Sequence, residues 1–261
     1  MQGIQDESTN EKIKISIEGN IGCGKTRLMN YLKNSKDLKL VPEPVEEWQN
    51  WHGQNLLEKF YDEPKKNAFA FQNIALYTST KGLLSRMEES VKITERSPHS
   101  SHLFATKLRK DNILTAIEYM ALKSWYNLLR KRCHINLDLI VYLKTLPEMA
   151  HARTIRRNRK EEKNISLEDH VKISKLHDWW LLDEKICNEE FEDSIWPTGD
   201  EQHILKRDIK YKGEVLVLDG NKEGDEIIGE YEKLVTWIRD KKKYLAKIKG
   251  YRNNTEYAFM K

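Results

Sequence analysis

The segment Gly19-Asn-Ile-Gly-Cys-Gly-Lys-Thr26 holds the residues of this chain whose types and spacing point most directly to chemistry. It satisfies G-x-x-x-x-G-K-S/T, in which glycines let backbone N–H groups converge on phosphates. Lys25 would bridge the β- and γ-phosphates of a nucleoside triphosphate, and the Thr26 hydroxyl would ligate magnesium, which prefers oxygen donors. Gly19, Asn20, Ile21, Gly22, Cys23 and Gly24 would form the cradle, Cys23 through its backbone. The helix expected to follow adds the partial positive charge of its N-terminus.

A phosphate loop leaves the acceptor open. Transfer to a small molecule needs a base near the acceptor hydroxyl, a carboxylate for magnesium and cations that follow the transferring group. Glu43, fixed between Pro42 and Pro44 at the end of an expected strand, is the candidate base. Glu95-Arg96-Ser97 offers an acid for hydrated magnesium and a guanidinium for the reacting oxygens. A surface ion pair is the bland alternative, but a charged pair ending a buried strand beside a phosphate loop favours function. Arg153, Arg156, Arg157 and Arg159 crowd one helical stretch. Arg153 and Arg157 stand one i,i+4 step apart and can point at one anion, as an arginine-bearing lid requires, while Arg156 reads as solvated face. A GTPase reading fails at Asp219-Gly-Asn-Lys-Glu-Gly-Asp225, where Gly224 occupies the place of the base-reading carboxylate.

These groups need a scaffold, and 261 residues suffice for one sizeable core. No apolar run approaches the roughly 18 residues needed to span a bilayer, which excludes a membrane protein. The net charge of +4 is a small difference between 45 basic and 41 acidic residues, so nucleic acid is not implied as a partner. Three scattered cysteines fit neither a disulfide framework nor a zinc site. No targeting pattern is visible in residues 1–12, so the cytoplasm is the expected compartment.

Strands are expected at Ile13–Glu18, Leu38–Val41, Val91–Glu95, Leu137–Leu143 and Val215–Leu218, with helices at Lys25–Asn34, Leu56–Tyr61, Ala68–Met87 and Asn112–Lys131. Strands alternating with helices predict a doubly wound α/β sheet. We expect one domain over 1–240, an insertion loop at 193–212, and a polar tail over 241–261 that frays.

With these motifs in view, the chain resembles the deoxynucleoside kinases, the group that holds deoxycytidine kinase, deoxyguanosine kinase, mitochondrial thymidine kinase and multisubstrate members. The likeness runs from about Lys14 to Leu182 and rests on I-E-G-N-I-G-x-G-K-T, on E-P-V-E-x-W at Glu43 to Trp48, and on N-L-L-E-x-x-Y at Asn55 to Tyr61. Further matches are F-Q at Phe71-Gln72, E-R-S at Glu95 to Ser97, and R-x-E-E at Arg159 to Glu162.

The resemblance implies a three-layer P-loop kinase fold, a parallel sheet of about five strands flanked by helices, with an Arg-rich lid. It also implies magnesium-dependent transfer from ATP to the 5′-hydroxyl of a deoxyribonucleoside, in nucleotide salvage. Residue by residue it implies Glu43 as base, Arg96 near the hydroxyl and the phosphates, and Tyr61 and Glu162 on the sugar 3′-hydroxyl. Gln72 would pair with the base, and Trp48, Leu57, Phe60, Phe71 and Phe104 would form apolar walls. Arg153, Arg157 and Arg159 would be the lid arginines, and Thr26 with Glu95 the magnesium shell. Homodimers through long helices are usual in the family. Ser79 and Ser101 stand where the deoxycytidine kinase branch carries Arg and Asp. That favours a pyrimidine or broad specificity, thymidine and deoxycytidine first, over a strict deoxycytidine or purine enzyme. A thymidylate-type monophosphate kinase is the alternative, but it would need a cationic site for the acceptor's own phosphate. A binding-only protein would have no need of a base.

Overall fold

The computed structural model describes residues 12–182 and 213–258. The expected insertion loop at 193–212 lies outside them. Five parallel strands, β1 (Ile13–Glu18), β2 (Leu38–Val41), β3 (Val91–Glu95), β4 (Leu139–Lys144) and β5 (Val215–Asp219), form one sheet in the order β2-β3-β1-β4-β5. β1 therefore lies at the centre, and its C-terminal end opens at the crevice where doubly wound sheets bind ligands.

Side-chain alternation divides the interior into two layers. Leu139, Val141 and Leu143 of β4 join Ile13, Ile15 and Ile17 of β1 and Val91 and Ile93 of β3 on one face. Helices α1 (Lys25–Leu32) and α9 (Gly224–Ala258) cover that face through Leu28, Leu32, Ile227, Tyr231, Leu234 and Ile238. On the opposite face Ile140 and Tyr142 meet the aromatic cluster of α2 (Val45–Gln49), α3 (Leu56–Asp62), α4 (Pro64–Leu84), α5 (Pro98–Lys110), α6 (Ala116–Arg132) and α8 (Leu167–Leu181). α7 (Pro147–Arg157) follows β4.

Element ends follow local chemistry. α4 starts four residues earlier than expected, with Pro64 in its first turn, where the missing N–H costs nothing. α6 starts at Ala116 rather than Asn112, because Thr115 and Glu118 form a capping box and Asn112 is left-handed at φ 53. α7 stops at Asn158, also left-handed at φ 52. α9 differs most from expectation, since it runs on to Ala258 through most of the tail read as frayed. Among the described residues no helix is long and apolar enough to cross a membrane.

Candidate active site

β1 ends at Glu18, and the chain then winds through Gly19, Gly22 and Gly24, all at positive φ, before α1 begins at Lys25. Gly22 shows why glycine is needed, because a Cβ there would lie 2.3 Å from the Ala150 carbonyl oxygen of α7. The Asn20 carboxamide pins the loop to α8 through the His170 carbonyl at 2.8 Å and the Ser174 hydroxyl at 2.7 Å. Lys25 folds onto its own loop, its Nζ donating to the Asn20 carbonyl at 2.8 Å. The Thr26 hydroxyl donates to the Glu95 carboxylate at 3.0 Å, joining the start of α1 to the end of β3.

One cavity of about 980 Å³ is walled at one end by Ile21 to Thr26 and at the other by Trp48, Leu57, Phe60, Tyr61, Phe71 and Gln72. Glu43 and Arg96 lie between, with Arg96 Nε donating to Glu43 Oε1 at 2.7 Å and Nη1 to the Gly19 carbonyl at 3.1 Å. One guanidinium thus spans the candidate base and the phosphate loop. Burial raises the Glu43 carboxyl, but the opposing charges of Arg96, Lys25 and Arg159 outweigh it and hold the group below the ordinary carboxylate value. Glu95 goes the other way, raised by burial and by Glu43 against the pull of Lys25 and Arg96. Thr26 and Glu95 both line the cavity and offer hard oxygen donors, the set that suits magnesium. Among the described residues no group of three or more His, Cys, Asp or Glu side chains could hold a metal ion.

The far end of the cavity is aromatic. Phe60 stacks on Phe71 at 4.6 Å between centroids, and Trp48 meets Phe71 edge-on at 5.3 Å. The Trp48 indole donates to the Thr78 hydroxyl at 3.1 Å, so this wall is fixed in orientation. Arg96 lies over the Phe104 ring at 4.7 Å. Gln72 is buried on α4 with its amide oxygen unpaired among the described residues, although it lines the cavity. A buried amide in that state calls for a polar ligand. Burial, with the charges of Glu162 and Glu43, raises the Tyr61 phenol, which keeps it neutral. Ser79 and Ser101 face each other at 3.3 Å between hydroxyls.

The arginines diverge from the sequence-based expectation. Arg153 donates to the Gly220 carbonyl at 2.7 Å and pairs with Glu223 at 3.2 Å, whereas Arg157 and Arg159 both pair with Glu162. In this state Arg153 and Arg157 hold different partners, because Gly220 and Glu223 come from the loop after β5 and Glu162 from the turn after α7. Arg156 is exposed, as expected, and also borders the cavity. Gly19 and Asn20 stand behind the cavity wall. Glu161 also went unforeseen: it accepts from Gln49 and Asn55, each at 2.9 Å, and so joins the lid turn to α2 and α3. Its only sequence signal was its place inside R-x-E-E.

Residues 15–240 match the family model described as deoxynucleoside kinase. Mitochondrial thymidine kinase 2 of Homo sapiens is 32% identical over 179 residues, 68% of each chain. Deoxycytidine kinase of Mus musculus is 33% identical over 195 residues, 65% of this chain and 75% of the relative. Deoxycytidine kinase of Homo sapiens is 30% identical over 255 residues, 87% of this chain and 90% of the relative. Matched over most of its length, and with a triphosphate loop and a neutral acceptor pocket in one cavity, the chain belongs to the deoxynucleoside kinase family.

Proposed function

We propose that this deoxynucleoside kinase moves the γ-phosphoryl group of ATP to the 5′-hydroxyl of a pyrimidine deoxynucleoside, thymidine or deoxycytidine first, with Glu43 as the base. The carrying observation is the Glu43–Arg96 pair at 2.7 Å, set in the cavity that the glycine loop also lines. Glu43, kept ionised by its cationic neighbours, accepts the hydroxyl proton. Arg96 releases one lone pair of that carboxylate to the substrate and turns toward the transferring group. Lys25, Arg157 and Arg159 spread the charge that develops on the phosphoryl oxygens. Magnesium bound at Thr26 and Glu95 would neutralise phosphate charge. Tyr61 and Glu162 hold the sugar, the aromatic wall takes the base faces, and the unpaired Gln72 amide reads the base edge. Ser79 and Ser101 are small and uncharged, which favours a pyrimidine or broad range.

A thymidylate-type kinase is not favoured, since Lys107, the cation of α5 that lines the cavity, is already paired with Asp111 and Asp169. We read residues 1–240 as one catalytic unit. A homodimer fits the exposed apolar side chains Tyr77 and Leu84 of α4 and Ile117, Met120, Trp125 and Leu128 of α6. The free thiols of Cys23 and Cys133 fit a reducing compartment, the cytoplasm in our reading.

The test is incubation with ATP, magnesium and each of the four deoxynucleosides, scoring 5′-monophosphate. Turnover should be highest with thymidine or deoxycytidine. Glu43→Gln should lower kcat at least 10²-fold while deoxynucleoside Kd changes little, the range set by general base catalysis. A fully active Glu43→Gln variant removes Glu43 from the reaction.

A further inference from the structure

A central parallel strand is normally apolar on both faces. β1 is not: Ile13, Ile15 and Ile17 alternate with Lys14, Ser16 and Glu18, and the last two are fully buried. Glu18 sits at the C-terminal end of the strand, immediately before Gly19. Its Oε1 accepts from the Ser16 hydroxyl at 2.7 Å and the Ser97 hydroxyl at 2.6 Å, while Oε2 has no partner among the described residues. Leaving a buried carboxylate half satisfied is expensive, so the arrangement needs a return elsewhere.

That return is found one residue before Ser97. Arg96 adopts φ 65, a left-handed backbone that a long side chain rarely takes and that persists only where its surroundings hold it. The strain is held from β1 and the loop beyond it. The Arg96 amide donates to the Ile17 carbonyl at 3.0 Å, its guanidinium to the Gly19 carbonyl at 3.1 Å, and Ser97 is tethered to the residue between them, Glu18. Three successive residues, Ile17, Glu18 and Gly19, thus grip Arg96 and its neighbour. Ser97 is held from its other side by Ser100, whose hydroxyl accepts from the Ser97 amide at 3.1 Å. Burial opposes the charge on Arg96, and Glu43 leads in outweighing it. Burial also raises the Glu18 carboxyl, against the pull of Arg96 and the hydrogen bonds from Ser97 and Ser16, so its hold on Ser97 is one of geometry first.

We propose that Glu18 is a positioning residue for phosphoryl transfer, holding Ser97 and the left-handed Arg96 so that one guanidinium spans Glu43 and the glycine loop. The proposal rests on the reading of Glu43 and Arg96 given above. Glu18 acts only through Arg96 and touches neither substrate.

Two variants test it. Ser97→Ala removes the tether and leaves the Glu18 carboxyl, while Glu18→Gln keeps the volume and one acceptor oxygen and replaces the carboxyl by an amide. Each should lower kcat about tenfold or more, with deoxynucleoside Kd within about twofold, since a misplaced charge costs rate rather than ground-state binding. In an Arg96→Ala background each should cost nothing further, because the group it positions is gone. Unchanged kcat in both variants overturns the proposal, as do losses that add in full to that of Arg96→Ala, which would mean general damage to the fold. Should Glu18→Gln fail to fold, Ser97→Ala carries the decision alone. If Arg96→Ala itself retains full activity, the reading of Arg96 fails, an outcome distinct from failure of the Glu18 tether.

Discussion

Gly22→Ala should uncouple the phosphate loop from the lid. The new Cβ would stand 2.3 Å from the Ala150 carbonyl oxygen and 2.4 Å from the Thr154 hydroxyl, both on α7. Ordinary contact lies near 3.5 Å, so loop and helix must part by about 1 Å. Residue 22 also has φ +74, which adds roughly 1–2 kcal/mol for an L side chain. α7 carries Arg153 and Arg157, and a displacement of about 1 Å at a positioning element can cost on the order of 10² in rate. Gly24→Ala separates the two effects. Its φ is +104, but the added Cβ meets only Leu143 Cδ2 at 3.6 Å, an ordinary contact. Steady-state kinetics and urea unfolding of both variants give the comparison: a stability loss in each, larger for Gly22→Ala because of the overlap, and a far larger fall in kcat for Gly22→Ala. Equal falls in kcat would show that backbone strain, not contact with α7, matters. A Gly22→Ala enzyme with kcat within twofold of the parent would refute the reasoning outright.

Two further outcomes follow from the same geometry. Because Arg96, Lys25 and Arg159 outweigh burial at Glu43, its proton leaves below the ordinary carboxylate value near 4.5, and the base is ionised at every higher pH. A carbon-13 NMR titration of the Glu43 carboxyl should therefore show it ionised from pH 7 down to about 5, and a midpoint above about 6 would contradict the argument; Glu95, raised by burial, is left out of that readout. Gly229 is an exposed residue of α9 whose added Cβ meets nothing within 4 Å, so Gly229→Ala should stabilise the protein by about 0.8–1.0 kcal/mol in urea unfolding with kcat unchanged; a destabilised variant would mean that α9 is not helical there.

The strands and the glycine loop were legible because their signals are local: alternation in Ile13–Glu18, glycines at fixed offsets, prolines flanking Glu43. Pairing was not, since Glu43 and Arg96 are 53 residues apart and meet only because β2 and β3 are neighbours in the sheet. α5 was missed because Pro98-His-Ser-Ser-His reads as a polar loop, whereas His99 and His102 turn inward toward Tyr126. No helix is expected after the last strand, so α9 was missed along its whole length. Ile227, Tyr231, Leu234 and Ile238 give a narrow apolar stripe, and past it lysines crowd the sequence, with Leu245 the next apolar residue to pack on the core. Glu18 was visible only as the last letter of a strand, and nothing in its spacing announces that Ser97 will cover it.

Net charge says little about this chain because its basic residues are concentrated in the cavity. Its walls hold eleven lysines and arginines, Lys25, Arg96 and the lid residues among them, against six carboxylates. That excess of five exceeds the +4 of the entire chain, so the remainder of the protein is close to neutral. Field lines from cations lining a concave, poorly polarisable wall are focused rather than dispersed, and they act on the partner with the larger charge. ATP is that partner, and the uncharged deoxynucleoside is not. In the proposed reading the cavity divides its work by end: the loop and lid recruit and orient by charge, the aromatic wall and Gln72 select by shape and hydrogen bonding. Arg96 stands at the boundary between the two, and on that reading its left-handed backbone, gripped by three successive residues of β1 and the loop, is what lets one side chain serve both ends.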